Sequence, residues 1–125
     1  MTDGDTDRRT AEQAWADLLD EAKPPHPARN WFAPYFWPLA QAAYAEPVLR
    51  GLYPGQSVNN LGFFENELWW TPTATEARTR PVITTTSFGT YRVVVDAWTQ
   101  PTELILTADP AEAARFVAHL LAEQA

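Results

Sequence analysis

The chain has 125 residues and a mass of 14.0 kDa, one compact domain's worth, and its 46% apolar and 13% aromatic content suffices to bury a core. A formal charge of −7 disfavours a sequence-independent grip on a nucleic-acid backbone. The absence of cysteine excludes a disulfide scaffold, a thiolate nucleophile and any sulfur-ligated zinc or iron–sulfur centre.

Residues 1–9 carry Asp3, Asp5 and Asp7 and no apolar run, which makes them a solvated acidic tail and not a secretory signal. No stretch approaches the roughly 18–20 consecutive apolar residues that span a bilayer. The expectation is therefore a cytoplasmic protein whose residues 10–125 form a single domain. Thr10 and Gln13 stand at the spacing of a capping box. Ala11, Ala14, Trp15, Leu18, Leu19 and Ala22 follow on one stripe, predicting an amphipathic helix that Pro24 and Pro25 end.

Residues 23–38 read KPPHPARNWFAPYFWP, five prolines and five aromatics, where regular structure should be short. Pro38 is expected to open a helix over 38–45. Pro47 ends it and begins another turn, Val48-Leu49-Arg50, with Gly51 as its C-cap. Pro54-Gly55 fits the centre of a type II turn. From Ala22 to Phe64 the charged residues are Lys23, Arg29 and Arg50 against Glu46 alone, so the acid lies mostly in the terminal thirds.

Strand candidates come next. Residues 58–64 would place Leu61 and Phe63 on one face, Val58 and Phe64 on the other, and 68–71 (LWWT) could pair back on them. Residues 72–80 read as a polar linker. The β-branched run 81–86 (PVITTT) predicts a strand turning at Phe88-Gly89 into 90–98 (TYRVVVDAW), with Tyr91, Val93 and Val95 on one face and Arg92, Val94 and Asp96 on the other. Gln100-Pro101 turns again into 102–107, where Leu104 and Leu106 alternate with Glu103 and Ile105. Asp109, Pro110 and Glu112 then occupy the N-cap, N1 and N3 positions of a last helix, its stripe formed by Ala113, Phe116, Val117, Leu120 and Leu121. Together these elements predict an α+β, two-layer fold: an antiparallel sheet of about four to five strands covered by amphipathic helices from both ends of the chain.

Chemistry-bearing motifs are sparse. His26 lies in the proline-rich loop, and His119 sits on the flank of the last helix between Arg115 and Glu123, an exposed position. No ligand pair has the spacing of a metal motif, Ser57 and Ser87 lie in no nucleophile elbow, and the glycines form no phosphate loop. Neither a catalytic residue nor a cofactor is expected. Glu65 and Glu67 are the best carboxylate pair, since paired carboxylates can perform acid–base work when burial splits their pKa values; solvated turn residues are the alternative. Asp96 interrupts a valine run and is expected to face solvent beside Arg92. The least ordinary features are Trp31, Phe32, Tyr35, Phe36 and Trp37, followed by Trp69-Trp70, whose adjacent strand positions cannot both enter one core. Such rings either pack as a satellite cluster or remain available as anchors for a partner or ligand.

Three stretches carry a resemblance: AAYAEPVLRGLYPGQSVNNLGFF over 42–64, FGTYRV over 88–93 and TADPAEAARFVAHLL over 107–121. With gaps, they make residues 38–121 similar to a small actinobacterial family of unknown function, the domain of unknown function 6193 type, loosely labelled natural product biosynthesis protein. Its members often show Ser-His where this chain has Ser57-Val58. The family has no established active site, so the resemblance implies no catalytic residue, only an accessory role beside biosynthetic genes.

The sequence thus points first to a small acidic accessory domain that binds a protein partner without catalysis, a basic partner being favoured by its charge. Trp31, Phe32, Tyr35 and Trp37 are the expected contact residues. One form of this reading is an immunity- or inhibitor-type protein. The alternative is a small-molecule pocket between the sheet and the aromatic loop, lined by Trp69, Trp70 and Tyr35 with Glu65, Glu67 or Asp96 as its polar groups. Nucleic acid and membrane are not expected partners.

Overall fold

A computed structural model describes residues 9–23, 33–65, 80–96 and 100–124. Expectations about Trp31, Phe32, Glu67, Trp69, Trp70, His26, the 68–71 strand and most of the 72–80 linker lie outside the described residues. Among the described residues the fold is α+β, with four helices and a five-stranded antiparallel sheet in the order β1-β2-β3-β4-β5. The elements are α1 (Ala11–Ala22), α2 (Ala33–Tyr44), α3 (Pro47–Arg50), β1 (Tyr53–Ser57), β2 (Asn60–Phe64), β3 (Val82–Thr85), β4 (Tyr91–Val95), β5 (Thr102–Thr107) and α4 (Pro110–Gln124).

Local signals set the ends of α1 and α4. Thr10 Oγ1 accepts from the Gln13 amide at 3.1 Å while Gln13 Oε1 accepts from the Thr10 amide at 2.8 Å, closing the capping box. At α4, Asp109 Oδ1 accepts from the Ala111 amide at 2.9 Å, one of the otherwise unpaired donors of the first turn. The buried side of α4 runs through Ala113, Ala114, Val117, Ala118 and Leu121, with Phe116 and Leu120 only half-buried. The apolar stripe is thus rotated toward the small residues, which let the helix sit close to its neighbours.

Three expectations are corrected. The second helix does not start at Pro38 but at Ala33, and Pro38 lies inside it. Proline there forfeits one helical hydrogen bond, to the carbonyl of the exposed Pro34, which water can satisfy. Burial of Phe36, Leu39, Ala40 and Ala43 along one side of α2 outweighs that loss. Pro54-Gly55 is not a turn but the middle of β1, paired with Phe63 and Gly62. Because β1 is an edge strand, the missing proline donor can face away from the ladder. The turn instead falls on Val58-Asn59, so the strand expected from residue 58 begins at Asn60. Asp96 does not continue β4 beside Arg92; it lies past the strand end at φ 56°, and Arg92 Nε donates to Glu103 Oε1 of β5 at 2.7 Å. Gly51 does cap α3, though in a right-handed conformation at φ −78°.

One face of the sheet carries the core. Leu61, Ile83, Val93 and Ile105 stand opposite one another across β2 to β5. With Phe63 and Tyr91 they meet Trp15 and Leu18 of α1, Leu39 of α2, Leu49 of α3 and Val117 of α4 in one cluster. Trp15 is fully buried at its centre, stacked on Phe63 with ring centroids 6.1 Å apart and tilted against Tyr44 at 5.5 Å. Its Nε1 donates to the Leu52 carbonyl at 2.9 Å, so the indole is both packed and satisfied. On the opposite face the Phe64 ring folds back over Gly62, where a Cβ would stand 2.6 Å from its Cζ.

Candidate functional site

The expected site residues fall in different places. Tyr35 and Trp37, both on α2, are half-buried and pack against the core cluster, whereas Phe36 between them is buried. Glu65 is exposed just past β2 and forms an ion pair with Arg80 (Oε1 to Nη2 3.7 Å) at the entrance to β3. Open grooves run between β5 and α4, along Ile105, Leu106, Arg115, Phe116 and His119, and between α1 and β1, along Asp17, Glu21 and Gln56. Neither groove is lined by Tyr35, Trp37 or Glu65. No group of three or more histidine or carboxylate side chains among the described residues is placed to hold a metal ion. His119 is exposed, as expected.

Tyr35 leads to a feature that the sequence reading missed. Its carbonyl accepts from the Tyr91 hydroxyl at 2.7 Å, and its ring lies against Gly89 in the turn between β3 and β4. Burial raises the Tyr91 hydroxyl's pKa above the usual tyrosine range, and the neighbouring Tyr35 adds to that shift. This contact brings the start of α2 to one particular end of the sheet. Asn60 of β2 opposes Thr84 of β3, so the turn before β2 and the turn after β3 stand side by side there.

Both turns present apolar side chains to solvent. Val58 is 70% exposed and Phe88 is 88% exposed. The backbone beneath them is tightly held. The Thr85 amide donates to the Asn59 carbonyl at 2.9 Å, and Asn59 Nδ2 donates to the Thr85 carbonyl at 2.7 Å. Thr84 Oγ1 donates to Asn60 Oδ1 at 2.6 Å, adding a side-chain link between the same strands. In the second turn, Thr86 Oγ1 accepts from the amides of Phe88 and Thr90, both at 3.2 Å, while the Thr86 and Thr90 hydroxyls lie 2.6 Å apart. Phe88 is therefore displayed on a fixed support.

Val58 adopts φ 55°, a left-handed conformation that a β-branched side chain takes only at a steric cost. Two-residue hairpin turns favour Asn or Gly there, so valine is the wrong residue for local stability. Strain of this kind concentrates where a side chain serves something other than the fold.

The two turns also lie in stretches of the chain that are free of charge. Residues 51–64 and 81–91 contain no Asp, Glu, Lys or Arg, in a protein that is 20% charged overall. These stretches hold the β1–β2 hairpin, β3 and the turn into β4. Depletion of charge around an aromatic residue is the compositional mark of the centre of a protein–protein interface. The signal was present in the sequence as two uncharged gaps, but only strand pairing shows that they adjoin.

The chain matches the model of a family of unknown function, DUF6193, over residues 9–124 and belongs to that family. No curated protein and no solved structure matches it. No described helix is long and apolar enough to cross a membrane.

Proposed function

We propose that the chain is a small non-enzymatic module that binds a protein partner through its uncharged β1–β2 and β3–β4 turns, with Phe88 and Val58 as the contacting side chains. The observation that supports this most is the 88% exposure of Phe88 on a hydrogen-bonded turn. An isolated exposed leucine needs no explanation, but an aromatic ring held out on a braced turn has the character of an interface anchor. A rigid support lowers the ordering cost of binding. The net charge of −7 lies outside this patch and favours a basic partner by long-range attraction.

Tyr35 joins this surface by supporting Gly89 from behind, so the aromatic segment contributes to recognition through the turn it buttresses. An immunity- or inhibitor-type role against a basic protein is one form of this function. An accessory role in the cytoplasm, beside natural product biosynthesis genes, is the setting that the family resemblance suggests.

A photo-crosslinking side chain placed at Phe88 in the native host tests the reading, with the same side chain at the exposed Glu21 of α1 as control. A discrete adduct with one other protein at position 88 alone is the expected result. No adduct, equal adducts at both positions, or an adduct only with a second copy of the chain would overturn it.

A further inference from the structure

The strand pairing sets a third segment beside the two apolar turns. The Asn59 carbonyl accepts from the Thr85 amide, Thr85 stands opposite Tyr91, and Tyr91 stands opposite Thr107. These four residues form one row across the end of the sheet, and Val58, Phe88 and Asp109 all lie past it. Neighbouring strands are about 4.8 Å apart, so the Phe88 turn stands between Val58 on one side and the start of α4 on the other. Residues 51–64 and 81–91 hold no charge, whereas 106–112 (LTADPAE) contribute Asp109 and Glu112 and no Lys or Arg. The apolar surface is therefore bordered by acid on its β5 side.

Of these two carboxylates the fold uses one. Asp109 Oδ1 caps α4 by accepting from the Ala111 amide at 2.9 Å. Glu112 holds the N3 position, from which Gln13 of α1 reaches back to its own N-cap amide. At α4 that return bond is absent, because the Asp109 amide donates instead to Thr107 Oγ1 at 3.1 Å. Glu112 is exposed and has no hydrogen bond or ion pair among the described residues. Arg115 and His119 follow about one and two turns further along the helix. The short connection from β5 sends that helix back along the strand, so both cations lie farther from this end.

We propose that Glu112 is the specificity contact of this surface: the partner seats Phe88 in an apolar recess and sets a Lys or Arg beside it to pair with the Glu112 carboxylate. The inference rests on the turns being the contact surface and adds the local chemistry of the partner. In such an interface the buried ring contributes affinity, and the charge at the rim sets partner choice and encounter rate. The helix dipole alone would account for a first-turn acid, since it favours negative charge at an N-terminus. Glu12, in the first turn of α1, has that same setting and lies toward the Tyr53 end of β1, the opposite end of the sheet. It is therefore the matched control.

The association rate and dissociation constant between purified variants of the chain and the protein captured through Phe88 test the contact. Glu112→Lys should weaken binding about tenfold, mainly through slower association, and the loss should shrink as salt is raised. Glu12→Lys makes the same change in net charge and at the same helix turn, and should leave the affinity within about twofold of the native value. Glu112→Gln, which adds no repulsive charge, should weaken binding about threefold and serves where the lysine variant folds poorly. Equal effects of the two lysine substitutions would overturn the role of Glu112 and leave the Phe88 reading intact. So would a Glu112→Gln chain that binds as tightly as the native one. Absence of any adduct at Phe88 would overturn the reading of the turns and this inference with it.

Discussion

The ring of Tyr35 lies so close to Gly89 that a Cβ added to the glycine would stand 3.1 Å from its Cε1. Gly89 also has φ +78°, a backbone conformation costly for any other residue. Two independent penalties therefore meet in Gly89→Ala, which should destabilise the domain by about 1–3 kcal/mol. Urea denaturation measures this. In a Tyr35→Ala background the same change should cost less, since only the conformational penalty remains, and a full additive cost would show that the ring is not the obstacle.

Val58→Asn should stabilise the protein by roughly 1 kcal/mol, because asparagine tolerates the left-handed conformation that valine resists. The same substitution removes an apolar side chain from the proposed contact surface. A shift of the urea midpoint to higher concentration, together with weaker partner binding, is the expected pair of outcomes. A stability gain with unchanged binding would remove Val58 from the interface.

The Tyr91 hydroxyl gives the stability a particular alkaline dependence. Its pKa is raised on folding, chiefly by burial, so the native state holds the proton more tightly than the unfolded chain does. The resulting stabilisation is complete below the ordinary tyrosine pKa of about 10 and is lost as pH rises through the higher native value. Tyr91→Phe should lower stability at neutral pH by about 1 kcal/mol, through loss of the bond to the Tyr35 carbonyl, and flatten the decline above pH 10. Absorbance titration of the four tyrosines should show one ionising later than in the unfolded protein.

Trp15 should be the least replaceable residue of the core. Trp15→Ala is expected to cost about 3–5 kcal/mol, a large part of the stability of a domain this size. Trp15→Phe keeps the stack on Phe63 but leaves the Leu52 carbonyl without its donor, at about 1–3 kcal/mol. Denaturant unfolding of both variants checks the order.

What could be read from the sequence was local. Thr10 and Gln13 are three residues apart and meet in the structure for that reason, as do Asp109 and Ala111. The α+β architecture follows from such starts and from the β-branched runs. Pro38 and Pro54 misled because each fits two roles, and the choice depends on distant partners: the burial of α2 for one, the edge position of β1 for the other. Tyr53–Ser57 was missed as a strand because its only pairing signal is its register with β2. Phe88-Gly89 was legible as a turn, but nothing local says that Phe88 projects into solvent. An aromatic residue is by default assigned to a core, and only its neighbours in space reveal otherwise.

The dissociation constant between the purified chain and the protein crosslinked at Phe88 is the most direct measure of whether this end of the sheet recognises a partner. Phe88→Ser should weaken it roughly thirtyfold, or about 2 kcal/mol, while leaving the urea midpoint unchanged. Equal affinities for the native and Phe88→Ser proteins would contradict the account.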